Sequence, residues 1–325
     1  MRSRQILTAA ILGLGLGLGA LPGLPAWPAL AQAGAEGEAA FGQRAFASPE
    51  AAAAALVAAI EARDPEAQAA ILGPDFAALI TAQGGEANED DRERFLAAAR
   101  EAVVVRPAGR ERVVLELGLV AWPMPAPLVR GADGAWRFDG AAGVEAVRDR
   151  IVGRNELHAI DVLNAYVEAQ RAYAATDPDG DEVHAFAQRL TSSPGRHDGL
   201  YWPVAEGTVP SPLGPYLAAA GIQPDSRDPA TPYYGYYFRI LTRQGPNVPG
   251  GAYDYVINGN MIAGFAMVAW PADYGHSGVM TFAVSHQGIV YERDLGPDTE
   301  KLAPKITAYD PDPAWDEVTD DGEPG

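Results

Sequence analysis

Between positions 144 and 174, apolar residues recur at intervals of three and four over a span no strand could use. This periodicity constrains the fold more than any other feature. Val144, Val147 and Ile151 make a first short stripe, which Gly153 interrupts. Asn155 then has the chemistry of an N-cap, and Glu156 follows at the positive end of a longer helix. Along that helix Leu157, Ile160, Leu163, Tyr166, Val167 and Tyr173 fall on one side, and Asp161, Glu168 and Arg171 on the other. About twenty residues at about 1.5 Å each give a rod of roughly 30 Å. Such a rod, apolar on one face and charged on the other, lies against a sheet rather than across a bilayer.

The flanking segments supply the sheets. Upstream, Ser48, Pro49 and Glu50 open a helix as N-cap, first position and first turn, with Leu56, Val57 and Ile60 as its stripe. Asp64-Pro65 starts a second helix that Gly73-Pro74 ends, and a third runs from Asp91 to Val103. The period then drops to two: Arg112 to Val120 reads as a strand, and Leu128 to Phe138 as a hairpin about Asp133-Gly134. Downstream of the long helix, proline loops lead into strands at 234–242, 253–257, 262–270, 279–285 and 289–294. In the fourth of these, Met280, Phe282 and Val284 share one face while Thr281 and Ser285 face away. The class is α+β. Helices followed by an antiparallel hairpin resemble the cone of cystatin-like, nuclear-transport-factor-like domains over 46–143. A long helix on an antiparallel sheet is expected over 144–309. Residues 310–325 hold seven acids, no base and three prolines, and composition predicts a disordered tail.

Charge and cysteine content exclude several functions. With 24 basic and 43 acidic residues the net charge is −19, so binding a phosphate backbone, and with it nucleic acid, is excluded as the main task. The chain has no cysteine, which removes thiol nucleophiles, cysteinyl zinc sites and disulfides. Lys301 and Lys305 are the only lysines. Arg2 and Arg4, the uncharged run Ile6 to Leu21 and the closing Ala31-Gln32-Ala33 read as a Sec-type signal peptide over 1–33, cleaved between Ala33 and Gly34. Glycines at 13, 15, 17 and 19 and prolines at 22, 25 and 28 make a poor spanning helix. Residues 34–45 read as a linker. The expected location is periplasmic or secreted.

Seven peptides carry a family resemblance: Phe46-Ala-Ser-Pro-Glu50, Gly153-Arg-Asn-Glu-Leu157, Asp198-Gly-Leu-Tyr-Trp-Pro203, Ser211-Pro-Leu-Gly-Pro215, Tyr233-Tyr-Gly-Tyr-Tyr237, Gly250-Gly-Ala-Tyr-Asp254 and Asp294-Leu-Gly-Pro-Asp298. Together they resemble the bacterial family of domain of unknown function 2950, which implies no catalytic residues. The C-terminal half, from Asn155-Glu-Leu-His-Ala-Ile160 through Asp198-Gly-Leu-Tyr201 to Gly278-Val-Met-Thr-Phe282 and Gln287-Gly-Ile-Val290, is also similar to the globular domain of type IV pilins and pseudopilins. That likeness implies a helix packed across an antiparallel sheet. The chain lacks their apolar stem and prepilin processing site, so it implies a soluble partner or assembly factor rather than a pilus subunit.

Candidate chemistry is sparse. Asp177, Asp179 and Asp181, with Glu182, place carboxylates at the first, third and fifth positions of a tight loop, as calcium prefers. An EF-hand would need Gly and Glu where Glu182 and Gln188 stand, and a solvated acidic turn is the plain alternative. The five histidines, 158, 184, 197, 276 and 286, have no metal-pair spacing. Gly275-His-Ser-Gly278 is one residue short of a nucleophile elbow and is flanked by strands, as a hairpin turn would be. Trp122 and Trp136 are candidates for the mouth of a pocket in the cone, and Tyr201 and Trp202 for an aromatic binding surface with Tyr233, Tyr234, Tyr236, Tyr237, Phe238, Tyr253, Tyr255 and Trp270. The expected function is non-enzymatic, a binding or assembly factor meeting an envelope protein or glycan surface. The alternative is a small-ligand carrier or hydrolase that uses the cone.

Overall fold

The computed structural model describes residues 43–76, 79, 86–178, 180, 182–203, 210–214 and 232–319, with no side-chain description at 86–88. The expected signal peptide over 1–33 and most of the linker lie outside these residues. The chain divides between Arg150 and Ile151 into two compact units.

In the N-terminal unit the capping chemistry works as the sequence implies. Ser48 Oγ accepts from Ala51 N–H at 3.2 Å to start α1, Pro49–Glu61, and Asp64 Oδ1 accepts from Ala67 N–H at 2.9 Å to start α2, Pro65–Leu72. α3 runs Glu86–Glu101, earlier than the Asp91 start that periodicity suggests. An antiparallel sheet follows: β1 Val103–Pro107, β2 Arg112–Leu117, β3 Trp122–Pro123, β4 Leu128–Arg130 and β5 Trp136–Phe138. Its order is β1-β2-β4-β5, with β3 also on β2. Leu56, Ile71, Leu72, Leu115, Leu128 and Phe138 make the buried centre between helices and sheet.

Helix α4, Gly140–Thr176, corrects the sequence reading. It is one unbroken helix of 37 residues, so Gly153 does not interrupt it and Asn155 is not an N-cap. An interior glycine costs about 1 kcal/mol relative to alanine, a penalty that tertiary packing readily outweighs. Val144 and Val147 pack on the N-terminal core, whereas Leu163, Tyr166, Val167 and Tyr173 are buried in the C-terminal one.

The C-terminal unit is built on β6 Tyr236–Leu241, β11 Ala266–Pro271, β12 Met280–Ser285, β13 Val290–Asp294 and β14 Asp316–Glu317, ordered β14-β13-β12-β11-β6 and antiparallel throughout. Two ribbons join these strands, β7 Arg243–Gln244 with β8 Tyr253–Asp254, and β9 Val256–Ile257 with β10 Asn260–Met261. Register puts Tyr236, Ala269, Phe282 and Glu292 on the face toward α4. Thr281 and Ser285 do turn the other way, but they are fully buried there. A strap through α5, Thr299–Leu302, and the 3₁₀ turn Ala303–Lys305 covers that second face.

The strap also corrects the expected tail. Arg239 donates to the carbonyls of Pro304 and Ile306, and Gly245 N–H bonds to Tyr309 C=O at 2.9 Å. Asp310 accepts from the backbone and side-chain amides of Asn247, both at 2.8 Å. Asp316 and Glu317 add the edge strand on β13, with Trp315 and Val318 packed on the core. Residues 310–319 are therefore ordered. Asp310 and Asp312 are spent on specific donors, Asn247 for the first and Arg293 and Ala314 N–H for the second, which composition does not reveal.

Helix and sheet meet at polar side chains as well as apolar ones. Asn155 Nδ2 donates to Ser277 C=O at 2.9 Å, and Glu156 Oε1 accepts from the N–H groups of Val279 and Met280 at 2.8 and 3.0 Å. A Cβ on Gly235, held at φ +72, would overlap Asn155, and one on Gly278 would strike the Tyr236 hydroxyl. Burial, reinforced by Glu156 and by Asp316 directly across the ladder, raises Glu292 above the ordinary glutamate range. The folded protein thus holds that proton more tightly than the unfolded chain. The contribution of Glu292 is most favourable below about pH 4.3 and is lost as pH rises through the higher folded value. Glu292→Gln is accordingly expected to stabilise the protein in urea titrations at pH 7, with a gain that fades as pH falls toward 4. An equal gain at both pH values would show that no carboxylate repulsion is present.

Candidate functional site

The last turns of α4 build a site by holding the backbone of a loop. Gln170, fully buried, donates from Nε2 to Ala187 C=O and accepts at Oε1 from Ala187 N–H, each at 2.8 Å. The same Nε2 donates to the Tyr166 hydroxyl at 3.0 Å, and that hydroxyl donates to Ala266 C=O at 3.2 Å. Burial drives the Tyr166 phenol far above its ordinary pKa, so it stays neutral. One turn on, Tyr173 donates to His197 C=O at 2.8 Å. Residues 166, 170 and 173 share a helix face by the spacing of three and four.

The loop so held is stitched internally. Phe186 N–H bonds to Met261 C=O at 2.8 Å, Tyr201 N–H to Leu190 C=O at 2.8 Å, and Ser192 N–H to Tyr201 C=O at 2.8 Å. Asp198 takes Ser193 N–H on one oxygen at 2.7 Å and Ser193 Oγ on the other at 2.9 Å. Arg189 Nη1 reaches Ser193 Oγ at 2.9 Å. Desolvation works against the Asp198 charge, but the Ser193 bonds and the Arg189 charge prevail and hold the carboxyl below its ordinary range. Between these segments opens a cleft of about 260 Å³, lined by Tyr173, Ala185 to Arg189, Asp198 and Asn260.

The candidates from the sequence separate on this framework. Trp202 is buried and stacks on His197, ring centroids 4.3 Å apart, while Tyr201 is half-buried beside it. Both therefore support the cleft's wall. Of the wider aromatic set, Tyr236 and Tyr255 are buried, Tyr233, Tyr234, Tyr237 and Phe238 are half-buried, Trp270 lies beneath Arg239, and Tyr253 is 38% exposed.

Trp122 and Trp136 do not meet. Trp122 stands opposite Leu117 at one end of β2, and Trp136 stands opposite Arg130, beyond Arg112 at the other end. Six residue steps along the strand separate them by about 20 Å. Trp136 is tied through its backbone to Phe46, and Trp122 lies under the Arg150 guanidinium, 5.4 Å from its ring centre. Arg150 donates to Pro123 C=O at 2.9 Å, and burial pulls it down to about 10.

Of the acidic loop, Asp179 and Asp181 lie outside the described residues. Asp177 sits at φ +44 and accepts Glu182 N–H at 3.1 Å on Oδ2, while its buried Oδ1 has no hydrogen-bond partner among the described residues. Among the described residues no group of three or more His, Cys, Asp or Glu is arranged to hold a metal ion. Ser277 is a turn residue: its Oγ donates to Gly235 C=O at 2.8 Å and accepts from Asp273 N–H at 3.0 Å. His158 rests on Tyr234 and His286 against Tyr255 and Phe265, both with pKa lowered mainly by burial.

The chain belongs to the family described as protein of unknown function (DUF2950), which matches residues 43–318. No curated protein and no solved structure matches it.

Sequence reasoning did not find Gln170, because a glutamine amid apolar helix positions carries no motif. Its removal is the test of the site's construction. Gln170→Leu leaves the Ala187 N–H and C=O unpaired in the interior, at about 1–3 kcal/mol for each group. The expected result in chemical denaturation is destabilisation by about 2–6 kcal/mol for the two groups together, with early proteolytic cleavage within 185–202. Unchanged stability would show that the loop is held by its own stitching alone.

Proposed function

We propose that this protein is an exported, non-enzymatic binding or assembly factor of the cell envelope, and that its C-terminal cleft receives a glycan. One observation carries this reading. Around the cleft the groups able to do chemistry are already engaged, Asp198 by the N–H and hydroxyl of Ser193 and Tyr173 by His197 C=O, and the lining adds Asn260 and Phe186. Asn260 offers hydrogen bonds to hydroxyls, and Tyr173 and Phe186 offer apolar faces, the combination that sugar rings use, while Gln188 Nε2 donates to Gly259 C=O at 2.7 Å and holds the turn beside Asn260. The signal-like N-terminus supports export. A long helix laid on an antiparallel sheet agrees with the pilin-like likeness, and so with an assembly role. The hydrolase alternative loses its main support with the separation of Trp122 from Trp136.

Export and binding are tested together. Protein recovered from the periplasm is expected to begin near Gly34 and to co-sediment with isolated envelope glycan. An Asn260→Ala variant should lose most of that binding while melting normally. Full-length protein retained in the cytoplasm would contradict export, and equal sedimentation of the variant would remove the cleft from the proposal.

Calcium at the Asp177 loop is a second proposal, supported by the unpartnered buried Oδ1 of Asp177. A cation is the natural partner for such an oxygen. Calcium at about one hundred times its dissociation constant would stabilise the fold by about 2.7 kcal/mol. Melting is expected to rise in millimolar calcium over chelator, and less so in Asp177→Asn; superimposable curves would refute the site.

A further inference from the structure

The N-terminal sheet has two edges, and among the described residues only one is covered. On the β5 side, Phe46 and Trp136 exchange two backbone bonds of 2.7 and 2.8 Å. On the other side β1 pairs with β2, and among the described residues nothing else bonds to it. The register settles which groups remain. Ala108 N–H bonds to Arg112 C=O and Gly118 N–H to Ala102 C=O, so the even-numbered residues of β1 face β2 and the odd-numbered ones face outward. The outward set is the N–H and C=O of Val103 and Val105, with the C=O of Pro107, which has no N–H to leave over.

Edges of this kind are normally blunted by charge, proline or a bulge, and the turns beside them by Gly, Asn or Asp. Here Val103 and Val104 are 39% and 44% exposed, and the turn after Gly118 presents Leu119 and Val120 at 84% and 73%. Pro107 protects one end only. Left open, an aliphatic edge of this kind invites aggregation.

We propose that β1 pairs antiparallel with β1 of a second copy of this chain, about a twofold axis through Val105. The strand is self-complementary in that register. The two Val105 residues exchange both bonds, each Val103 N–H meets the Pro107 C=O of the second copy, and all four outward donors are satisfied. The donor that Pro107 lacks falls at the ends of the ladder. Val104 stands beside Arg106 of the second copy, so no like charges oppose, and Arg106 keeps its own Glu116 at 2.6 Å. A twofold axis shifted to Val104 keeps the parity but runs Pro107 into Glu101, the last residue of α3, and shortens the ladder. Charge permits a copy here: residues 100–120 hold four arginines and three glutamates, in a chain of net −19, so this edge does not repel its own image.

The test is native mass by light scattering over a dilution series of the intact protein. Wild type is expected at twice the chain mass. Val103→Pro and Val105→Pro should each halve it, because both remove outward donors and leave the β1–β2 ladder whole. Val103→Pro should also keep the wild-type circular dichroism and melting midpoint, since that N–H bonds to nothing within the chain. Val105 touches the core, so its variant is read second. Val104→Ala is expected to remain dimeric. A wild-type monomer at every soluble concentration, a strand from another protein on this edge of a monomer, or a dimer that survives both prolines would overturn the proposal.

Discussion

The C-terminal unit depends on α4 binding backbone. Apolar contact sets the helix on the sheet, but contact alone leaves it free to slide by small steps at little cost. Asn155, Glu156, Tyr166, Gln170 and Tyr173 remove that freedom, each pairing with backbone amides or carbonyls at one position in a strand or loop. Such bonds are specific in a way that leucine packing is not, and breaking one inside a core leaves the other partner unsatisfied. They run from the start of β12 at Val279 to the loop at Ala187 and His197. The cleft exists because its floor is held from below by the helix.

The two faces of that sheet are covered by different means. One carries the helix, and the other carries the strap from Thr299 to Val318, fastened by Arg239, Asn247 and the pairing of β14. The strap closes the β13 edge with two acidic residues, a short and poorly matched strand in which Asp316 faces Glu292. Among the described residues the N-terminal sheet has no such guard on β1. The contrast between a sheet that covers its own edge and one that presents valines is the structural basis for expecting a second copy there.

Much of this was legible from residue order. Caps at Ser48 and Asp64, the Asp133-Gly134 hairpin, the alternation of Met280, Phe282 and Val284, and the family of the chain all follow from local chemistry. Other features depend on partners far away in sequence. Asn155 looks like a cap because its side chain suits one, and only Ser277, more than a hundred residues on, reveals its use as a clamp. The acids beyond Asp310 read as disorder until Asn247 and β13 supply their partners. Trp122 and Trp136 seemed to belong to one pocket because sequence proximity cannot say which end of a strand a residue occupies. Gln170 was invisible for the opposite reason, being one polar residue in an apolar stripe. The peptides that carry the family likeness prove structural at several points, Gly153–Leu157 as clamp, Tyr233–Tyr237 around Gly235, and Asp198–Pro203 as the stitched loop.

Hydrogen exchange resolved to single amides in Glu156→Ala tests the central role of the helix clamps most directly. The account predicts that Val279 and Met280 lose protection together with the turn at 273–278, while β6 and β11 keep theirs. Unchanged protection at Val279 and Met280 would show that the strand is positioned without the helix, and would contradict it.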